Sequence, residues 1–221
     1  MDFKCSNISL WKEALSSYES RISSMNDKKP NLASLDTFYR VELPALVHAR
    51  DPNPYITRSE LTSLMKWKLS RGKFRPRLLD FVSKLDEEVV KSASEKAFLS
   101  LPDLSAAVSE LTVLKGIGPA TASAVLAAYA PDVAPFMSDE AMEAVLGNTK
   151  AYSLKQYLLL ADRLQMKAKE LSSEDEIFTP CDVERALWSC AVGAKLSNEL
   201  STEKSDDGSK SSSRRKRKKS S

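Results

Sequence analysis

Gly116-Ile117-Gly118, followed at once by Pro119, is the segment whose residue types could do chemistry. Glycine at the first and third positions lets the backbone take positive φ and approach a ligand closely. Pro119 suits the first position of a helix, where its missing N–H costs nothing. Apolar residues on both sides, across 111–126, make the segment read as helix, tight turn, helix. The N–H groups of such a turn, backed by a helix start, form an anion site, and a nucleic-acid phosphate is the obvious anion. The same turn would also serve simply to join two packed helices.

Further on, Pro131 and Pro135 mark a loop, and Phe136-Met137-Ser138-Asp139 leads into a helix over 140–146. Asp139 is placed as its N-cap, where a carboxylate accepts backbone N–H bonds, a purely structural role in most proteins. A carboxylate at a fixed point can also face developing positive charge and stabilise it. A second candidate is the basic run Lys66, Lys68, Arg71, Lys73, Arg75 and Arg77, interleaved with Trp67 and Phe74 and broken by no acid. Such a patch grips phosphates. Lys66 and Lys68 lie about 200° apart on a helix, so the patch is coherent only if Gly72 bends the chain. The plainer reading is a solvated helix end whose cations suit the C-terminal dipole. Trp67 and Phe74 read more naturally as core than as stacking platforms.

The elements that must position these groups read as helices. The first spans 8–25, with Leu10, Trp11, Leu15 and Tyr18 at helical spacing. Shorter ones follow at 35–41 and 44–49, then a loop at Asp51-Pro-Asn-Pro54. Thr57 and Glu60 form a capping box, Gly72 closes that helix and Pro76 opens the next. Helices also fit 87–99, 103–114, 119–129, 153–171, where Ser153 is the cap, and 181–196, opened by Thr179 and Pro180. No segment alternates with period two, so the expected fold class is all-α, with no internal repeat.

The 221 residues allow one large or two small domains. No apolar run reaches the roughly 18–20 residues of a membrane span, and the first residues lack the order of a signal peptide. Cys5, Cys181 and Cys190 are odd in number and widely spaced, which suits a reducing compartment and rules out a four-cysteine cluster. With His48, the one histidine, they match no zinc spacing, and His48 reads as structural. The chain carries +3 overall, but residues 201–221 hold eight Lys or Arg against three Asp or Glu, which leaves residues 1–200 at −2. The body is therefore not broadly basic, and any nucleic-acid contact must rest on local patches. Residues 201–221 have a composition that predicts disorder. They end in Arg214, Arg215, Lys216, Arg217, Lys218 and Lys219, a run that reads as a nuclear-localisation signal, or else as a solubilising tail.

Gly-Ile-Gly, then Thr121-Ala122, an apolar helix and an aspartate 23 positions after Gly116, together resemble the helix-hairpin-helix (HhH-GPD) DNA glycosylase superfamily. The likeness is firm over 111–146; elsewhere it rests on helix count and order. Met65-Lys-Trp-Lys-Leu-Ser-Arg-Gly-Lys-Phe-Arg-Pro76 is similar to an Amun-like eukaryotic branch of that superfamily. The resemblance implies a two-lobed helical bundle over 1–200, with a base flipped from double-stranded DNA into a pocket between the lobes. It also implies a phosphate held by Gly116, Ile117 and Gly118 with Lys115 and Thr121 close by, and Asp139 as the catalytic carboxylate. Lys66, Lys68, Arg71, Lys73 and Arg75 would hold further phosphates. Lys115 stands where relatives have proline, and Ala120 where strand-cutting members place a Schiff-base lysine, so hydrolysis without lyase activity is expected. No iron–sulfur motif follows Asp139; no cofactor is expected, though the hairpin turn leaves room for a cation. Glu140 and Glu143 are out of place beside a phosphate backbone. They favour a DNA-binding or chromatin scaffold that kept the fold without the chemistry. A module that binds only other proteins is the third reading. The implied place is the nucleus, reached through an import receptor that reads the terminal run, with no membrane association.

Overall fold

The computed structural model describes residues 2–26, 28–147 and 151–207, with side chains as far as Asn198. Among the described residues all regular structure is helical: α1 (Ile8–Ser16), α2 (Tyr18–Met25), α3 (Leu32–Thr37), α4 (Leu43–His48), α5 (Arg58–Arg71), α6 (Pro76–Val82), α7 (Glu87–Leu99), α8 (Leu104–Thr112), α9 (Pro119–Tyr129), α10 (Asp139–Leu146), α11 (Leu154–Leu171) and α12 (Pro180–Asp207). The caps explain most of the helix starts. Thr57 and Glu60 form the expected reciprocal box at α5, and Glu60 is also clamped by Arg50 at 2.5 Å. Ser153 caps α11. Thr179 and Asp182 exchange bonds at α12, Thr179 N–H donating to Oδ2 at 2.8 Å and Asp182 N–H to Oγ1 at 3.1 Å.

Three elements differ from the sequence reading. The first helix is two, divided at Ser17. The hydroxyls of Ser16 and Ser17 both donate to the Glu13 carbonyl, competing with the backbone there; Leu10 stays 45% exposed. The segments at 35–41 and 44–49 are joined. Helix α3 begins at Leu32 and passes through one π turn, Phe38–Glu42, into α4. In that turn Leu43 N–H reaches back to the Phe38 carbonyl, and the wider turn admits Pro44, which has no N–H to give. Helix α12 runs on to Asp207, past the expected end and into the segment read as disordered. Polar composition does not forbid helix, and no proline or glycine intervenes between Gly193 and Gly208. Residues 208–221, and with them Arg214 to Lys219, lie outside the described residues.

Helix α9 is the centre of the core. Its residues from Thr121 through Ala128 are all buried, as expected of a helix apolar on every side. Its alanines leave no bulk, so α8, α5, α4 and α11 all close on it. Tyr39 donates its hydroxyl to the Ala124 carbonyl at 3.0 Å and stacks on Trp67 with ring centroids 3.5 Å apart.

Two buried polar clusters tie the outer helices to this centre. Asp36 accepts from Tyr18 Oη at 2.7 Å, Trp67 Nε1 at 2.9 Å and Arg40 Nε at 3.0 Å. Arg71, at the end of α5, is 4% exposed and donates to both Glu184 oxygens of α12, at 3.0 and 3.2 Å. Its guanidinium lies 4.6 Å from the Trp188 ring centroid and 5.3 Å from that of Phe136. Burial opposes the charge, but Glu184, with Tyr18 and Glu140 behind it, outweighs the burial and holds the guanidinium above its usual pKa. Glu184→Ala would leave that cation buried and unpaired. It should lower the unfolding free energy by about 3–5 kcal/mol in urea melts, whereas a loss below about 1 kcal/mol would mean that the pair behaves as a surface pair.

Candidate functional site

The hairpin turn is built as two unlike glycines around one anchor. Gly116 has φ +90°, and a Cβ there would lie 2.9 Å from the Phe81 Cβ, so no other residue fits. Gly118 does not share the expected positive φ. It is extended at φ −105°, and a Cβ there would meet nothing within 4 Å. The fold therefore does not need glycine at 118, and the missing side chain leaves the backbone there open. Ile117 is buried and plugs the turn into the core. Among the described residues the N–H groups of Gly118 and Ala120 have no hydrogen-bond partner, while Thr121 and Ala122 both donate to the Gly118 carbonyl.

Asp139 is carried to this turn by α9. Ser123, on the buried face of α9, accepts from Met137 N–H at 3.0 Å and donates to the Ala120 carbonyl at 3.2 Å. The loop after α9 is thereby folded back to the start of the same helix. Ser138, not Asp139, is the N-cap of α10, accepting from Ala141 N–H. A serine one position earlier meets the backbone need, and the aspartate becomes the first helical residue with its carboxylate free for other partners. Those partners are the Tyr152 hydroxyl, donating to Oδ1 at 2.5 Å, and the Lys73 ammonium, 3.1 Å from Oδ2.

The sequence-derived candidates then divide. Gly116, Gly118, Thr121, Lys68, Lys73, Arg75 and Asp139 line a single cleft of about 210 Å³, between α5–α6 on one side and the starts of α9 and α10 on the other. That is below the roughly 300–1,000 Å³ of drug-sized pockets and suits one small group. Arg71 reaches the cleft only as its floor; paired with Glu184 in the core, it is structural, not an exposed phosphate contact. Lys66 is exposed and outside the cleft, and so is Lys115, whose ammonium lies 5.1 Å from the Phe81 ring centroid. Gly72 does bend the chain, delivering Lys73 and Arg75 but leaving Arg71 behind. Trp67 is core as expected, whereas Phe74, read as core, is 76% exposed between Lys73 and Arg75. Tyr152 was missed, because nothing in the spacing ties it to Asp139.

The electrostatics are uneven. Burial works against the Asp139 carboxylate, but Tyr152 and Lys73 outweigh it and hold its pKa below the usual range. Lys73, bonded to Asp139, is raised. Lys68 is pushed down to about 8, by burial first and by Arg75 second, against the pull of Asp139. Arg75 lies 5.3 Å from the Tyr152 ring centroid. Glu140 also lines the cleft, but its carboxylate is 3.5 Å from the Lys195 ammonium, which offsets the charge that made it look out of place. The arrangement offers backbone donors for an anion, an ionised carboxylate and exposed cations at the rim. Comparison with protein-family models, with curated proteins and with solved structures found no match to this chain.

The folded pKa of Asp139 lies below its unfolded value. The group therefore stabilises the fold at neutral pH, and that contribution is lost as the pH falls through the carboxylate range. Tyr152→Phe removes one of the two bonds responsible. In carboxyl-carbon NMR titrations Asp139 should titrate higher in Tyr152→Phe than in the native chain; an unchanged midpoint would exclude the tyrosine as a cause.

Proposed function

We propose that this chain is a nuclear, double-stranded-DNA-binding protein of the helix-hairpin-helix glycosylase type, and that it releases a base by hydrolysis of the N-glycosidic bond. The helix-hairpin-helix class and the two lobes, with the cleft between them, are part of the proposal. So is import through Arg214 to Lys219. The observation that carries the reading is the convergence, in one cleft, of the hairpin turn, Asp139, Lys73 and Arg75. These groups come from segments far apart in the chain.

In this reading a DNA phosphate sits on the N–H groups of Gly118 and Ala120, with the helix start behind them. Lys73 and Arg75 hold neighbouring phosphates at the rim. Phe74, exposed beside them, enters the base stack and fills the space the flipped nucleotide leaves. The flipped sugar faces Asp139. As the base departs with the bonding electrons, the sugar becomes cationic, and the fixed carboxylate stabilises that charge. Its lowered pKa supports this role, because the group is ionised at neutral pH. Lys73 holds the carboxylate in the free protein and is 62% exposed, so it can turn outward to a phosphate when DNA binds.

A second reading, DNA binding without base chemistry, is favoured by one observation: in the free protein Asp139 is already occupied by Lys73 and Tyr152.

One experiment separates these readings and a second tests the DNA contact they share. Single-turnover base release should occur on at least one of a panel of duplexes carrying uracil, alkylated, oxidised, mismatched or methylated bases, and Asp139→Asn should abolish it. Salt-dependent retention with no release anywhere would leave the second reading. Gly118→Ala should leave stability within about 1 kcal/mol, since the site is extended and open, yet weaken duplex retention by crowding the phosphate. Unchanged retention would remove the turn from the contact.

A further inference from the structure

A second cavity, of about 240 Å³, lies behind the cleft. Among the described residues the two share only Arg71 and Phe136. The last turn of α9 contributes Ala127 and Ala128 to it, and these leave space that no facing side chain takes up. Rings form much of the remaining wall: Tyr18, Tyr39, Trp67 and Phe136. Tyr39 and Arg40 reach the cavity from the π turn between α3 and α4, and single wide turns of this kind occur frequently at functional sites. Exposed His48 lines its outer side. A concave space walled by rings, with few polar groups, is the usual form of a small-molecule site, and this one is sized for one or two rings.

The polar groups decide what fits. Arg71 spends only Nη2 on Glu184, and Arg185 only Nη2 on Asp182. The other N–H groups of both guanidinium groups have no hydrogen-bond partner among the described residues, and Nε of each is buried. These leftovers are donors, so a ligand must bring an acceptor. Glu184 also lines the cavity, and its oxygens keep lone pairs beyond those that Arg71 uses, so it can accept from a ligand N–H. Charge is already balanced: Arg71 by Glu184, Arg185 by Asp182 and Arg40 by Asp36. A charged ligand would lose water without gaining a free counterion.

We propose that this second cavity binds a small uncharged aromatic amide, a planar ring system bearing a carboxamide or a lactam. Its carbonyl oxygen accepts from the free guanidinium N–H groups, and its N–H donates to Glu184. The ring lies among the aromatic side chains, against the alanines of α9. The site does not depend on DNA binding.

The probe is benzamide, titrated into the full chain. Benzoate and benzamidine are comparators of the same shape: the first is an anion with acceptors only, the second a cation with donors only. His48 is the one histidine, so its ring proton resonances report occupancy without ambiguity. Benzamide should shift them saturably, with a Kd on the order of 1 mM for so small a molecule. It should also give intermolecular NOEs to Trp67 and Tyr39. Benzoate and benzamidine should each bind about tenfold more weakly or worse. Ala128→Leu, which fills the space, should abolish binding, and Arg185→Lys, which keeps the charge but not the guanidinium, should weaken it about tenfold. Equal binding of the three probes, tighter binding of benzoate, NOEs to the cleft at Tyr152, or no saturable shift at tens of millimolar benzamide each overturn the proposal. The titration of the native chain decides by itself, so the result stands even if a variant fails to fold.

Discussion

A guanidinium cannot be left alone inside a protein, and the burial of Arg71 therefore dictates much of what surrounds it. Glu184 brings the opposite charge from α12, and Trp188, Phe136 and Trp67 surround the cation with rings. Because Arg71 is the last residue of α5, this pair fixes where the helix stops and where Gly72 turns the chain outward. The residues after the turn, Lys73 to Arg75, are then at the cleft by necessity. Ser138 lies close enough to Glu184 to favour its ionised form, so the cap of α10 is referred to the same buried charge. One ion pair thus places both walls of the cleft.

The cleft in the free protein is largely self-neutralised. Asp139 is engaged by Lys73 and Tyr152, and Glu140 by Lys195. Lys73 and Lys195 sit on exposed, rotatable stems, so a polyanion can recruit them without breaking a buried contact. Lys68 is the exception: half-buried, with no ionic partner among the described residues and close to other cations. The local field is accordingly more positive than the −2 carried by residues 1–200 would suggest.

Local rules were legible in the sequence wherever the cause was local. The capping box at Thr57, the cap at Ser153, the proline starts and the helix at 87–99 depend on residues a few positions apart, and each appears where it was read. The turn at Gly116 was legible for the same reason, whereas Asp139, 23 positions further on, was singled out by resemblance and read as the cap that Ser138 supplies. What could not be read depended on distant partners. Arg71 looks like its basic neighbours until Glu184, far along the chain, is folded beside it. Phe74 looks like core until the loop after Gly72 is seen to have nothing packed above it. Asp139 and Ser138 are both good caps, and only the geometry of the loop chooses the serine. Tyr152 reaches Asp139 from beyond the end of α10.

The two hydrogen bonds made by the Ser123 hydroxyl have a consequence for how the chain tolerates changes of length. Its hydroxyl grips Met137 from one side and the first turn of α9 from the other. The stretch between Tyr129 and Phe136 is closed by this clasp and is held from outside as well, Gln165 of α11 donating to the Val133 carbonyl at 2.7 Å and the Cys181 N–H of α12 to that of Pro131 at 3.4 Å. An insertion at exposed Asp132 is taken up before the clasp and leaves the carboxylate where it was, whereas a residue added within α9 rotates every later contact by about 100°. Divergence among sequences of this architecture should accumulate as indels at the exposed tip around Asp132, while the interval from Gly116 to Ser123 keeps its length.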